Sequence, residues 1–387
     1  MIAELADLLH PPTAWRRLRR ALGSSCWEVL PLAAFVVLIG IVLQWSVAGA
    51  GPLPRGHLVR VLAAALVAAF AASRPPRTWS RLAPALWVGV LVLLVLVLVV
   101  GREVNGARRW LFLPGGVSLQ PSEFLKPVLI LLWARGFAER PRPRRLADLA
   151  RPAAALGLGF VLVLVEPDLG TALSLLPLFL GMVWLAGAPR RVVRILLLAP
   201  LVLAPLAWPL LHGYQRERIQ TWWQQDALTP EQRAAEGYHL WHAKLAVGSG
   251  GWEGMGWGRG PENRLDRLPE RTNDFVFPVL AEEGGFRVAV PFLTAYLLLG
   301  LALLRRSARH RDPFVRLALA GCGLYFLVHL VVNVGVTLGV LPTTGLPLPL
   351  VSLGGSSMVA AGWVLGLAWS LAGVRAAPLS SRAFEED

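Results

Sequence analysis

The residue best placed for acid–base chemistry in this sequence is Asp274. It lies in the stretch Leu268–Phe286, where Phe275 and Phe277 follow it in an otherwise apolar part of the chain. An aspartate held against aromatic side chains loses hydration, which raises its pKa and makes it a better proton acceptor. The alternative is that Asp274 caps the helix expected after it. The residue pattern alone leaves both interpretations open.

The composition is that of a membrane protein. Of the 387 residues, 55% are hydrophobic and 16% are charged, whereas soluble domains average about a quarter charged residues. The 38 Lys and Arg residues outnumber the 24 acids, but they stand in short clusters between apolar runs, so we expect contact with membrane lipids and no nucleic acid. Cys26 and Cys322 lie in or beside apolar segments, which indicates neither a disulfide framework nor a thiolate metal site.

The apolar segments predict an all-α integral membrane protein with about ten transmembrane helices. The first run, from Leu30 to Val47, is too long for a cleaved signal peptide and is interpreted as an uncleaved helix. The remaining segments are 57–72, 82–100, 122–138, 152–165, 169–186, 192–211, 286–304, 314–338 and 349–372.

The basic residues predict the orientation of these helices. They cluster in 16–20, 74–81, 140–151, 190–194 and 305–311, which is every second connection. By the positive-inside rule these connections and both termini face the cytoplasm. The chain is thereby divided into a cytoplasmic segment (1–29), a transmembrane domain (30–373) with a large extracytoplasmic loop (213–285) between its seventh and eighth helices, and a cytoplasmic tail (374–387).

A second set of polar residues lies between Asn105 and Lys126. Arg109 is on the outward side, against the positive-inside trend, and is either an interfacial anchor or a site for a phosphorylated lipid head group, since Arg offers phosphate a planar fork of donors. Glu123 and Lys126 are three residues apart on a predicted helix and can pair. Because charges are costly inside a membrane, this pair either meets water or a ligand or forms a structural ion pair.

Three further segments have polar or irregular patterns. The turn Glu166–Asp168 either binds a cation or partner or uses Asp168 to cap the next helix. The glycine- and tryptophan-rich run 248–258 shows no phosphate-binding loop pattern, and His239 and His242 lack a third metal ligand at a recognisable spacing. The prolines and glycines of 341–357 interrupt an apolar region, which membranes tolerate only where the backbone lines a cavity or is buried in protein.

Taken in order, these motifs resemble those of the SEDS family (shape, elongation, division and sporulation) of membrane glycosyltransferases. The similarity covers nearly the whole chain and is closer to the elongation-type RodA branch than to the division-type FtsW branch, because Pro342–Gly345 lacks a Lys common in the latter. The motifs that carry the resemblance are Asn105–Trp110, Gln120–Phe124, Glu166–Thr171, Tyr214–Arg216, Gly248–Gly251, Leu268–Phe275, Glu282–Glu283 and Gly354–Ser357.

The resemblance implies a peptidoglycan polymerase of the inner (cytoplasmic) membrane. Such an enzyme joins lipid II units through β-1,4 bonds outside that membrane and works with a class B penicillin-binding protein in cell elongation and shape. The family's essential aspartate falls on Asp274. This sequence departs from the family at Asn273, where Thr or Ser is usual, at His239, where Gln is common, and at Leu353, where Tyr is usual.

From these observations we expect Asp274 to act as the catalytic base on the acceptor sugar. Arg109 and Lys126 are expected to neutralise the departing pyrophosphate, with a divalent cation, Mg²⁺ or Mn²⁺, as a further candidate. The full set of expected substrate-binding residues is Arg109, Trp110, Glu123, Lys126, Lys244 and Ser356, and the expected supporting residues are Asp168, Glu282 and Glu283.

Two functions from other classes remain open. A flippase for lipid-linked cell-wall precursors also has broken helices and intramembrane charges, although the sequence shows no internal hydropathy repeat by inspection. An inactive scaffold for the elongation or division machinery is the other alternative.

Overall fold

A computed structural model describes residues 28–49, 55–104, 107–114, 117–140, 142–211 and 213–373, and most of them are α-helical. The predicted cytoplasmic segment 1–29 lies almost entirely outside the described residues, and the predicted tail 374–387 lies wholly outside them.

Most long helices coincide with the predicted apolar segments, but two begin earlier than predicted, at Pro76 in place of Leu82 and at Val276 in place of Phe286, inside the predicted loop. In chain order, the helices begin with α1 (Val29–Val47), α2 (Arg55–Ala72), α3 (Pro76–Val100), α4 (Pro121–Ala138), α5 (Ala150–Val165), α6 (Leu169–Leu185) and α7 (Arg190–Ala207). The loop region adds the shorter helices α8 (Gly213–Trp223), α9 (Pro230–Ala234), α10 (Tyr238–Ser249) and α11 (Pro261–Arg264). The chain then forms α12 (Val276–Ser307), α13 (Pro313–Thr337) and α14 (Gly355–Ala372).

The helices are those of a multi-pass membrane protein. Within the described residues, seven helical stretches are long and apolar enough to cross a membrane, and they contain α1, α2, α3, α5, α12, α13 and α14. The helix α6 is apolar but has 17 residues. Glu123, Lys126 and Arg135 lower the hydropathy of α4, and three arginines do the same for α7. The count of about ten spans stays a prediction.

Close helix crossings hold the bundle together. Along α14, Gly362 and Gly366 face the backbone of α2, where a Cβ on either glycine would overlap the carbonyl of Ala64 or Ala68. Small residues at such a crossing let two helix backbones approach closely, which is how helices associate in membranes. The middle of α14 is thereby held against α2.

A small antiparallel sheet accompanies the helices of this predominantly helical fold. Its strands are β1 (Arg102–Val104), β2 (Ala107–Leu113) and β3 (Val117–Leu119), in the order β1-β2-β3. The outer strands have three residues each, and the seven residues of the central strand do not alternate between polar and apolar side chains. The sheet joins α3 to α4 and presents Arg109 and Trp110 from its central strand.

The glycine-rich run after α10 crosses the start of α12 at very short range. The N–H groups of Met255 and Gly256 donate to the carbonyls of Glu282 and Glu283 at 2.9 and 3.0 Å. The backbone of α12 is interrupted at Gly285, whose φ is +61°. These glycines therefore serve a backbone crossing, which is possible because they carry no side chain.

This crossing gives the first prediction. A Cβ on Gly250 would overlap the carbonyl of Ala281, whereas one on Gly248 meets no atom within 4 Å. We expect Gly250→Ala to cost about 1–3 kcal/mol because the backbones must separate. The matched variant Gly248→Ala should unfold at or above the wild-type temperature, since alanine favours a helix. Thermal unfolding in detergent measures both, and equal midpoints would contradict the crossing.

Candidate active site

A polar cavity of about 490 Å³ opens where the sheet, the turn between α5 and α6 and the stretch before α12 meet. Its wall includes Arg109, Trp110, Glu123, Asp168, Arg218 and Asp274. A smaller cavity of about 70 Å³ shares Arg218, Glu270, Asp274 and Gly345 with the first. Asp274 therefore lies where the two cavities meet.

The backbone around Asp274 is held by donors from separate parts of the chain. The carbonyl of Thr272 accepts hydrogen bonds from the Gln44 side chain at 2.9 Å and from the N–H of Leu353 at 2.8 Å. The next carbonyl, of Asn273, accepts from the Ser352 hydroxyl at 2.6 Å. Each carbonyl is thus fixed from outside its own segment.

The carbonyl of Asp274 is fixed in the same way. It accepts a hydrogen bond of 2.9 Å from the amide of Asn333, a buried residue of α13 that also donates to Leu346 at 2.8 Å. The stretch before α12 is therefore pinned to α1, α13 and the 346–353 segment, and the position of the Asp274 carboxylate follows from that support.

The environment of Asp274 suits a proton acceptor. Burial raises the pKa of Asp274 to about 7. The carboxylates of Glu270 and Asp168 act in the same direction, and the guanidinium of Arg218 opposes them. The geometry does not favour the capping alternative, since α12 starts at Val276 and its N-cap residue is Phe275, with no side-chain cap hydrogen bond.

Arg109 reaches the cavity from β2 and also supports the turn between α5 and α6. Its Nε donates to the carbonyl of Glu166 at 3.0 Å, and an Nη donates to the carbonyl of Pro167. Burial raises the pKa of Glu166 to about 8, Asp168 adds to this shift and Arg109 opposes it. Part of the Arg109 guanidinium therefore donates hydrogen bonds to the backbone of the turn.

Asp168 caps α6, as one of the two alternatives predicted. Its Oδ1 accepts from the N–H of Thr171 at 3.1 Å, and its Oδ2 accepts from the amide of Gln120 at 3.0 Å. It also lines the cavity. The turn is thus tied to the start of α4 by a side-chain hydrogen bond.

Lys126 and Glu123 form a buried ion pair on α4, with 3.0 Å between Nζ and Oε2. The Nδ1 of His329 donates to the carbonyl of Tyr325 at 2.8 Å, which leaves its Nε2 to accept from the Lys126 ammonium at 3.0 Å. Glu123 lines the cavity and Lys126 does not. The geometry therefore favours the ion-pair alternative for Lys126 over direct contact with substrate.

The other predicted substrate-binding residues are divided between the cavity and its surroundings. Trp110 lines the cavity. Ser356 is buried and accepts from the N–H of Gln120 at 2.8 Å, so it ties α14 to the sheet region, while its neighbour Ser357 lines the cavity. Lys244 lines neither cavity and contacts Gln225 at 3.1 Å on the loop surface.

Glu282 and Glu283 support the loop and lie outside both cavities. Glu282 accepts from the N–H groups of Glu262 and Asn263 at 2.8 and 3.2 Å, at the start of α11. Glu283 accepts from the Asn263 amide at 2.7 Å and from the hydroxyl of Ser46. The two carboxylates thus hold α11 of the loop against the start of α12, and Glu283 also contacts α1.

Sequence reasoning missed Arg218 and Glu270 as cavity residues. On α8, Gln215 is buried, and Arg218, Thr221 and Trp222 line the smaller cavity. These positions recur at the three- and four-residue spacing of one helix face. That spacing is a signal that could have identified Arg218, although α8 lies in a loop where no helix was predicted.

The fold and the cavity define a class of protein, a multi-pass helical membrane protein whose polar cavity at one end of the bundle contains an aspartate and two guanidinium groups. Residues 26–375 match the model of the FtsW/RodA/SpoVE family of cell cycle proteins. The chain belongs to this family.

Curated relatives of the chain are consistent with this family assignment. The chain is 35% identical over 335 residues to the peptidoglycan glycosyltransferase MrdB of Escherichia coli K12, covering 86% of this chain and 88% of that protein. It is 39% identical over 304 residues to a probable peptidoglycan glycosyltransferase FtsW of Halorhodospira halophila, covering 76% of this chain and 74% of that protein.

Among solved structures, one described as "Structural coordination of polymerization and crosslinking by a peptidoglycan synthase complex" aligns with a TM-score of 0.78 at 34% identity, covering 90% of this chain and 98% of that chain. The rod shape determining protein RodA of Thermus thermophilus aligns with a TM-score of 0.67 at 32% identity, covering 90% of this chain and 97% of that chain.

Proposed function

We propose that Asp274 is the general base of this peptidoglycan glycosyltransferase, a multi-pass protein of the bacterial inner membrane. The observation that carries the assignment is that one cavity holds both Asp274, whose pKa burial raises to about 7, and the guanidinium groups of Arg109 and Arg218. A base with a pKa near the working pH is the most effective proton acceptor, and the two cations stabilise an anionic leaving group.

The proposed substrate is lipid II, as both donor and acceptor. The Asp274 carboxylate accepts the proton from the 4-hydroxyl of the acceptor sugar, whose oxygen bonds to the anomeric carbon of the donor. The bond from that carbon to the pyrophosphate oxygen breaks, and its electrons leave with undecaprenyl pyrophosphate. Arg109 and Arg218 neutralise the charge that develops on the leaving group, and Lys126 acts only by fixing Glu123.

A divalent cation would need ligands from the substrate. Within the described ranges, no three His, Cys, Asp or Glu side chains lie close enough to hold a metal ion. Glu123 is paired with Lys126, and Asp168 accepts two hydrogen bonds. Because Mg²⁺ usually binds through one or two carboxylates together with substrate phosphates, a Mg²⁺ or Mn²⁺ ion here would take most of its ligands from the pyrophosphate of lipid II.

The proposed partner is a class B penicillin-binding protein. One structural relative is a synthase complex that coordinates polymerization with crosslinking, and a glycan strand made here needs a transpeptidase to join it to the wall. Elongation is favoured over division because both the MrdB relative and the T. thermophilus structure are of the rod-shape type. FtsW relatives match as well.

Polymerisation of purified lipid II tests the function. The purified protein in detergent should release long glycan strands on addition of lipid II, more of them with the cognate penicillin-binding protein present. Transport of a labelled lipid across vesicles without any glycan product, under conditions where the partner is present, would instead support the flippase alternative.

Arg218 gives a second prediction. Arg218→Gln should lower the polymerisation rate about tenfold, the loss expected for one charge-assisted hydrogen bond. It should also move the midpoint of the pH–rate curve upward, because Arg218 opposes the raised pKa of Asp274. The control is Arg216→Gln on the same helix, because Arg216 lines neither cavity and donates to Pro209 at 2.7 Å. An unchanged pH midpoint in Arg218→Gln would contradict the assignment.

A further inference from the structure

A second large cavity lies at the opposite end of the bundle from Asp274. Its volume is about 1040 Å³, and it is enclosed by α3, α4, α5 and the short 3₁₀ turn Leu146–Leu149. Along α4, Gly136 of this cavity is 13 residues from Glu123 of the first, which is about 20 Å at the rise of an α-helix. The two cavities are therefore separate sites.

The rim of this cavity is strongly cationic. Its wall contains Arg140, Arg142, Arg144 and Arg151, and its one acid is Asp148. The Oδ2 of Asp148 accepts from the N–H groups of Arg144 and Arg145 at 2.8 and 2.9 Å. Across the described ranges, none of the four arginines is within ion-pair distance of a carboxylate. Four guanidinium groups thus face one carboxylate that is already hydrogen-bonded.

Two further groups at this rim favour an anion. The first turn of α5 contains Arg151 and no acid, although the positive end of the helix dipole normally attracts acids. The indole N–H of Trp87, which lines the cavity, has no hydrogen-bond acceptor in the described part of the chain. Trp133 differs, because its indole donates to Pro152 at 3.1 Å. A buried indole donor normally has a partner.

An apolar groove continues from the cavity along the surface of the bundle. Its volume is about 650 Å³, and it runs between α3 and α5, lined by Val88, Leu91, Val95, Val161 and others. Leu158 lines both the cavity and the groove. A Cβ on Gly157, in the groove wall, would meet no atom within 4 Å. A cationic rim that opens into an apolar groove matches a molecule with an anionic head and a hydrocarbon chain.

We propose that this cavity binds an anionic phospholipid of the cytoplasmic leaflet. The phosphodiester accepts hydrogen bonds from the arginine cluster and Trp87, and one acyl chain lies in the groove between α3 and α5. The positive-inside rule puts this end of the bundle in the cytoplasm, where anionic lipids attract basic segments. The lipid therefore bridges α3 and α5, which both line the cavity and the groove.

Lipid-dependent thermal unfolding of the delipidated, full-length protein in detergent tests the proposal. A ligand that binds only the folded state raises its unfolding temperature. We expect phosphatidylglycerol to raise it and phosphatidylcholine with the same acyl chains to have little effect. Inorganic phosphate should need at least a tenfold higher concentration, because it cannot occupy the groove. An equal effect of both phospholipids, or no effect of either, would refute the anionic-lipid site.

Matched variants separate the head and chain contacts. Gly157→Phe should weaken the phosphatidylglycerol effect at least tenfold by filling the groove, and so should Arg140→Gln with Arg144→Gln by removing charge. Gly89→Phe is the control, since Gly89 lies on α3 with open space around its Cβ and lines neither cavity nor groove. The unfolding temperature of each variant is also measured without lipid, and a variant that shows no folded state there is left out of the comparison.

Two results of these measurements would refute the lipid site. A full phosphatidylglycerol response in both the groove variant and the arginine variant would overturn the proposal. So would undecaprenyl pyrophosphate that displaces phosphatidylglycerol at a lower concentration than phosphatidylglycerol itself requires, because the site would then belong to the substrate lipid.

Discussion

Asp274→Asn should abolish polymerisation of lipid II while the protein still folds and inserts into the membrane. The asparagine keeps the shape of the side chain but cannot accept the proton, and positioned general-base catalysis contributes roughly 10²–10⁴-fold to a rate. Glycan product formed from purified lipid II measures the loss. Asp226→Asn is the matched control, because Asp226 is an exposed loop residue that lines neither cavity.

The same substitution has an expected signature in pH dependence. Wild-type activity should fall as the pH drops through about 7, since protonation of Asp274 removes the base. The folded protein also binds this proton more tightly than the unfolded chain, so ionisation of Asp274 costs stability as the pH rises from 3.8 to about 7. Asp274→Asn should therefore unfold at the same or a higher temperature than wild type at pH 8.

Loss of activity together with loss of stability would point to a structural role for Asp274. Polymerisation near the wild-type rate by Asp274→Asn would refute the base assignment outright. Glu270, which lines both cavities, would then be the first carboxylate to test.

The buried ion pair of α4 gives the other large effect. Lys126→Met should destabilise the protein by about 3–5 kcal/mol, because it leaves the Glu123 carboxylate without its cation in the interior. The double variant Glu123→Gln with Lys126→Met should be markedly more stable than Lys126→Met, since no charge is left unpaired. Thermal unfolding in detergent measures both.

An exposed pair on the same helix is the control for this experiment. Arg135 is 2.7 Å from Glu139, and their side chains are 32% and 59% exposed, so Arg135→Met should cost about 1 kcal/mol or less. If the double variant is no more stable than Lys126→Met, the pair model is wrong. A double variant that folds and polymerises at the wild-type rate would exclude any direct catalytic part for Lys126.

The sequence predicted the long helices well because each needs about 20 apolar residues to cross a membrane. The ends of α1, α2 and α13 fall within two residues of those expected. The start of α14 was less accurate, because the predicted segment began at Pro349 and the helix begins at Gly355. The residues between them form irregular backbone, which hydropathy does not distinguish from a helix.

The site was predicted in part. Arg109, Trp110, Glu123, Asp168 and Asp274 all reach the cavity. The four charged residues were recognisable because charge is costly or unusual at those places, whereas Trp110 belongs to a motif that carries the family resemblance. Whether a polar side chain faces a cavity or a buried partner depends on packing between distant helices. Lys126 illustrates this, because its neighbour His329 is 203 residues away and no local pattern links them.

The backbone support of Asp274 bears on which neighbouring positions can change during evolution. Asn273 and Leu353, the departures noted from the family pattern, support Asp274 through main-chain atoms, a carbonyl that accepts from Ser352 and an N–H that donates to Thr272. The side chain of Asn273 donates separately to Glu270 at 3.1 Å. Substitution at 273 or 353 alters the side chain and leaves the main-chain hydrogen bonds in place, except that proline at 353 would remove the N–H. Side-chain substitution at either position should therefore keep this support, whereas loss of the Gln44, Ser352 or Asn333 side chain, each of which donates to it, should weaken it.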